Sequence, residues 1–144
     1  MGLEQAIGTL YEKYAEQFVG LTEFWSRLAK EEYEHARWLG ALEIYVDQGH
    51  LFWGAARFSE PAVQRELDKV RDALNRVAAG DMRVVEALKT AGDLESSLLE
   101  AGFYDTVESS APKFRKIAKA LSAATREHSR LIYQLLGAPE DTLP

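Results

Sequence analysis

Cysteine is missing altogether from these 144 residues. That excludes disulfides, thiolate nucleophiles and Cys-ligated iron or zinc, so any metal site must be built from Asp, Glu and His. Histidine is scarce as well: His35, His50 and His128 are the whole supply. Basic residues are outnumbered, and the formal net charge of −6 argues against nucleic acid, whose recognition rests on a basic footprint. No apolar run approaches about 18 residues, so no stretch reads as a membrane span. The opening MGLEQAIGTLYEKY carries neither the basic n-region nor the apolar h-region of a secretory signal. Ala6 stands where a myristoylation signal has Ser or Thr. The expected location is cytoplasmic. The 47% apolar and 28% charged content is that of a globular chain, long enough to bury one core.

What is there is helical spacing. Trp25, Leu28, Glu32, His35, Leu39, Leu42 and Val46 fall at intervals of three and four, an inward-facing stripe. Thr22 before Glu23 reads as an N-cap and Gly49 as a stop, which places a helix at about 22–48. Glu4, Ile7, Tyr11, Tyr14 and Phe18 keep the same rhythm up to a turn at Gly20. RFSEP, with Ser59 as cap and Pro61 in the first turn, opens a third helix. Val63, Leu67, Val70, Leu74 and Val77 line it, and Gly80 ends it. Val85, Leu88, Gly92, Glu95, Leu98 and Gly102 form a fourth stripe, broken by SSAP at 109–112. Phe114, Ile117, Leu121, Thr125, His128, Ile132 and Leu135 form the fifth. No segment alternates with period two, so no sheet is expected. The fold class is all-α: a four-helix bundle of two helical hairpins, about 2–48 and about 83–137. A crossover helix at about 59–79 joins them, about 30 Å long and so able to run the length of a bundle.

The two hairpins match each other. LAKEEYEHARWL begins at Leu28 and LSAATREHSRLI at Leu121, so the stripe 28-32-35-39-42 is repeated by 121-125-128-132-135. His35 pairs with His128 and Glu32 with Thr125. Leu3-Glu4 pairs with Leu94-Glu95. Glu4 precedes His35 by 31 residues and Glu95 precedes His128 by 33. Each hairpin therefore offers one glutamate from its first helix and one histidine from its second. Glu32 and His35, three apart, project from one helical face, and carboxylate with imidazole suits iron, manganese or zinc. Buried carboxylates cost several kcal/mol each unless compensated, and no Lys or Arg occupies the neighbouring stripe positions. A divalent cation would offset the repulsion. In its absence the carboxyl pKa values rise and protons are taken up.

These segments, LEQAIGTLYEKYAEQF, FWSRLAKEEYEHARWL, ALKTAGDLESSLLEAGF and LSAATREHSRL, resemble the ferritin-like superfamily and within it the rubrerythrin-like proteins. That family's pattern is one Glu from each of two helices and Glu-x-x-His from each of the other two. The resemblance implies a single ferritin-like domain over 1–144 with Glu4, Glu32, His35, Glu95 and His128 as metal ligands. It implies one or two iron ions, with manganese or zinc as substitutes, and peroxide reductase or ferroxidase-type activity on peroxide or dioxygen. The chain departs from the pattern in two ways. Thr125-Arg126-Glu127-His128 lacks the second bridging glutamate, and Glu127 lies about 100° round the helix, facing water. These residues also hold no cysteine-ligated rubredoxin-type iron, so electrons must come from a separate donor.

Charge leaves three states open. Three glutamates against two divalent ions leave one positive charge, which calls for an added anion. Against one ion they leave one negative charge. The third state is a vestigial site with no metal. The corresponding rival function is a metal-free, degenerate bundle acting as an oligomeric binding or scaffold protein. A further alternative is a polar pocket for a small organic ligand. Glu12 competes with Glu4 for the first-helix role, but Glu4 lies on the stripe and Glu12 beside it. Glu31 and Glu34 are assigned to water, and His50 to the dipole at a helix end. Trp25, Trp38, Trp53, Tyr11 and Tyr14 are assigned to packing in the core or at an interface. A homodimer is expected.

Overall fold

The computed structural model describes residues 2–47, 51–53, 60–101, 107–109 and 112–137. Within them lie five α-helices: α1 Leu3–Gln17, α2 Thr22–Asp47, α3 Glu60–Ala78, α4 Val84–Ala101 and α5 Pro112–Leu136. The predicted stop at Gly49, the cap at Ser59, Gly102 and His50 lie outside the described residues. Two short strands, β1 Leu51–Trp53 and β2 Val107–Ser109, pair antiparallel with Phe52 opposite Glu108. This corrects the expectation of no sheet. Three residues are too few to show period-two alternation, which needs at least about four, although Leu51-Phe52-Trp53 is rich in strand-favouring aromatic residues. The pair joins the segment that follows α2 to the segment that precedes α5.

Where their side chains are described, the periodic stripes lie on buried or half-buried faces. α1 packs along α2 and α4 along α5; α3 lies against α1 and α4, and α2 meets α5. Ile7, Leu10, Tyr11 and Tyr14 from α1 meet Trp25 and Leu28 from α2, and Leu88, Ala91, Leu94 and Leu98 from α4 join them with Ile132 from α5. Each fully buried large side chain contributes about 1.5–3 kcal/mol relative to an exposed one. Near the α1–α2 connection the core is aromatic. The Trp25 ring lies 5.2 Å from Tyr11 and 4.8 Å from Tyr14, the latter edge-on, an arrangement that ring quadrupoles favour.

The connection between α1 and α2 differs from the expected cap. A single 3-10 turn, Val19–Leu21, runs directly into α2, and Thr22 already has helical backbone angles. Its hydroxyl instead donates to the carbonyls of Ala15 and Val19 at 2.8 and 3.1 Å, satisfying acceptors left over at the end of α1. The α3–α4 connection is held by Arg76. Its guanidinium donates to the Asp81 carbonyl at 2.9 Å and to the Glu86 carboxylate. With Arg83 also donating, the Glu86 carboxyl is held down at about 2.

Gly80 sits in this connection at φ +70, a left-handed conformation that costs a residue with a Cβ about 1–2 kcal/mol. A Cβ there meets no atom within 4 Å, so the penalty is conformational alone. Gly80→Ala is expected to lower the unfolding free energy by about 1–2 kcal/mol with an unchanged urea m-value, as measured by chemical denaturation followed by circular dichroism.

Candidate metal centre

The five residues singled out by the stripes converge in the core. Glu4, Glu32, His35, Glu95 and His128 are each 3% exposed or less. They form two groups, Glu4–Glu32–His35 and Glu32–Glu95–His128, in each of which the ligand-capable atoms lie within 4.8 Å of one another. Glu32 belongs to both. One of its oxygens lies 2.9 Å from Nδ1 of His128 and the other 3.7 Å from Nδ1 of His35. The imidazoles are nearly parallel, with ring centres 5.5 Å apart. Glu12, the competitor on the first helix, is exposed and lines an open groove on the outer side of α1 and α2 with Gln5, Glu16, Ser26 and Lys30. Glu4 is the first-helix glutamate that reaches the cluster, because its stripe faces inward and that of Glu12 does not.

The two halves differ. Around His35, Nδ1 is 3.6 Å from Oε2 of Glu4 and 3.7 Å from Oε2 of Glu32, too long for hydrogen bonds. Two donors bound to one ion at about 2.1 Å each are separated by roughly 3–4 Å, so this spacing is that of ligands around a common centre. Around His128, Nδ1 is within hydrogen-bonding distance of Glu32, and Oε1 of Glu95 lies at 3.4 Å. Thr125 is buried, but its hydroxyl donates 2.9 Å back to the carbonyl of Leu121. That back-bond occupies the hydroxyl proton within α5.

Two participants were assigned elsewhere by the sequence. The Tyr11 hydroxyl, for which packing is the first expectation and contact with the site the second, donates to Oε1 of Glu95 at 2.9 Å. Burial, then the charges of Glu95 and Glu32, push its pKa well above the ordinary phenol value, so it remains a donor. Glu31, assigned to water, lies 3.3 Å from Nε2 of His128 through Oε2, while Oε1 accepts from Arg27 at 3.1 Å. The available signals were Tyr11's place on the Glu4 stripe and the position of Glu31 one turn before His35, on the flank of the buried face. Other assignments hold. Glu127 is exposed and paired with Arg130, and Trp25 is in the core. Trp38 is 40% exposed, its ring centre 5.7 Å from that of His35.

The electrostatics follow from burial. Desolvation, then the charges of Glu4 and Glu95, raise the Glu32 carboxyl well above its ordinary value. Burial alone would lower the His128 pKa, but the carboxylates of Glu95 and Glu31 outweigh it and the net direction is upward. Oε2 of Glu32, Oε2 of Glu95 and Nδ1 of His35 are buried without a hydrogen-bond partner, a costly arrangement that a cation among them would relieve. Buried Glu and His clusters of this kind can hold a metal ion. Compared with family models, with curated proteins and with solved structures, the chain finds no match in any of the three. No helix among the described residues is long and apolar enough to cross a membrane.

Protonation links this cluster to stability. Glu32 and His128 both have folded pKa values above their unfolded ones, so each stabilises fully below its unfolded pKa and loses that contribution as pH rises through the folded value. Glu86 acts in the opposite sense, losing its contribution as pH falls from the ordinary carboxyl range towards about 2. In chelator, the melting temperature is therefore expected to fall as pH rises above the ordinary carboxyl range. The unfolding free energy falls by up to about 1.4 kcal/mol per pH unit for each proton released on unfolding. Glu32→Gln, which fixes the neutral form, should flatten that slope; an equally steep profile in the variant would assign the effect to other groups.

Proposed function

We propose that this chain is a rubrerythrin-like, non-haem metal protein of the ferritin-like class. In this reading α1–α2 and α4–α5 are the hairpins of a four-helix bundle, and α3 is the crossover. Glu4, Glu32, His35, Glu95 and His128 hold one or two divalent ions, iron first, with manganese or zinc as substitutes. The observation that carries the proposal is Glu32, whose two oxygens are directed at two different buried histidines. A carboxylate in that posture is suited to joining two ligand sets. The donor set fits: three carboxylates and two imidazoles, no thiolate, and buried acceptor oxygens with no hydrogen bond of their own. Carboxylate and imidazole together favour iron, manganese or zinc over softer-ligand metals.

Bound iron supplies one-electron redox chemistry towards peroxide or dioxygen, and we assign the protein to the peroxide reductases or ferroxidase-type oxidoreductases on that basis. The chain's own residues have separable tasks. Glu4 and His35 complete one ligand group and Glu95 and His128 the other, with Glu32 common to both. Tyr11 holds Glu95 in place by donating to Oε1 and leaves Oε2 available. The leucine and aromatic packing around them keeps bulk water out, which strengthens every charge interaction inside. Electrons reach the site from a separate donor, since these residues contain no thiolate to carry an iron of their own.

One observation favours the rival reading of a metal-free binding or scaffold bundle. His128 and Glu32 already satisfy each other through a 2.9 Å hydrogen bond, and the residue that should supply a further carboxylate is Thr125. Metal content separates the two. After anaerobic iron loading and desalting, elemental analysis is expected to find about one to two ions per chain, and Glu32→Ala should abolish most of that binding. Thr125→Glu should raise the content of a one-ion protein by about one ion. Less than about 0.2 ions per chain with iron, manganese and zinc alike would sink the metal reading in favour of the scaffold.

A further inference from the structure

The repeat that places His128 opposite His35 breaks down one turn earlier. On α2 the two residues three and four positions before the histidine are Glu32 and Glu31. On α5 the equivalent residues are Thr125 and Ala124. Neither carries a carboxylate, and the Thr125 hydroxyl is committed to Leu121. Yet His128 has carboxylates at both ring nitrogens, and α2 supplies one at each: Glu32 is 2.9 Å from Nδ1 and Glu31 is 3.3 Å from Nε2.

We infer that Glu31 is a positioning residue for the metal centre, supplying from α2 the carboxylate that α5 lacks and orienting His128 through Nε2. This deepens the metal-protein reading above and rests on it. An imidazole can offer Nδ1 as a ligand only when the proton resides on Nε2. A carboxylate accepting from Nε2–H fixes that tautomer and makes the ring a better donor. Glu31 is suitably placed because its side chain is 29% exposed while the ring it contacts is almost wholly buried. It therefore avoids the full desolvation cost that a fourth buried carboxylate would incur. Its other partner, Arg27, is 66% exposed, and an exposed pair of that kind offsets little of its charge. With Glu31 counted, four carboxylates stand against two divalent ions, and the positive charge left by the three buried glutamates is balanced without an added anion.

The test is a zinc competition titration against a chromophoric chelator on the full chain, comparing wild type with Glu31→Ala, Glu31→Gln and Glu34→Gln. Glu31→Ala should weaken zinc binding by about 10–100-fold. Glu31→Gln, which keeps an acceptor and loses the charge, should fall between it and wild type. Glu34→Gln removes the same charge from the same helix away from His128 and should change affinity by less than about twofold. In the zinc-loaded protein, a slowly exchanging Nε2–H proton resonance of His128 should be present in wild type and lost in Glu31→Ala. Wild-type affinity in Glu31→Ala, or an equal loss in Glu34→Gln, overturns the role of Glu31 and leaves the metal centre standing. A wild-type chain that takes up no zinc, iron or manganese overturns the metal centre and this role with it.

Discussion

The arrangement turns on the Glu32 carboxylate, held in the core between two imidazoles and between two further carboxylates. Such a group is unstable as a bare anion. Its own desolvation and the charges of Glu4 and Glu95 push its pKa upward, and the nearest positive partners available are histidines. Neighbouring features can be understood as responses to that problem. Tyr11 donates to Glu95, His128 closes onto Glu32, and Glu31 reaches in from the rim. The aromatic layer of Tyr11, Tyr14, Phe18, Phe24 and Trp25 supplies the apolar burial against which a polar centre of this kind can be retained. Tyr11 belongs to both sets, since its ring packs on Trp25 while its hydroxyl serves the cluster.

The helices and the identity of the clustered residues were legible in the sequence because both depend on one periodic signal. A stripe at spacing three and four places residues on one face whatever their chemistry, so Glu32 and His35 were carried inward with Trp25 and Leu28. The same logic separated Glu4 from Glu12, which lie on different faces of α1, one buried and the other exposed. What periodicity does not encode is the lateral reach of a side chain. Glu31 lies beside the stripe rather than on it, and whether it touches water or His128 depends on how closely α5 approaches α2. The Tyr11 contact has the same origin: its face was legible, but its partner on α4, 84 positions later, was not. Three residues carry too little pattern to announce the paired strands, and Thr22 is helical rather than a cap because the 3-10 turn Val19–Leu21 runs straight into α2.

The loss of symmetry at Thr125 is the feature that connects sequence, geometry and chemistry. In a strictly repeated layout each histidine would have its own glutamate one turn earlier on its own helix. Here Glu32 lies one turn before His35 at 3.7 Å, yet its closest approach is to His128 at 2.9 Å on the other hairpin. With no carboxylate one turn earlier on its own helix, His128 has both ring nitrogens beside carboxylates of α2. His35 is left with longer contacts to Glu4 and Glu32, neither of hydrogen-bonding length. The two imidazoles therefore differ: both nitrogens of His128 stand beside carboxylates, whereas Nδ1 of His35 has no hydrogen-bond partner. Nδ1 of His35 has no hydrogen bond to exchange for a cation. Nδ1 of His128 is already engaged by Glu32, so the break in the repeat at Thr125 leaves the two imidazoles unequally placed to take up a cation.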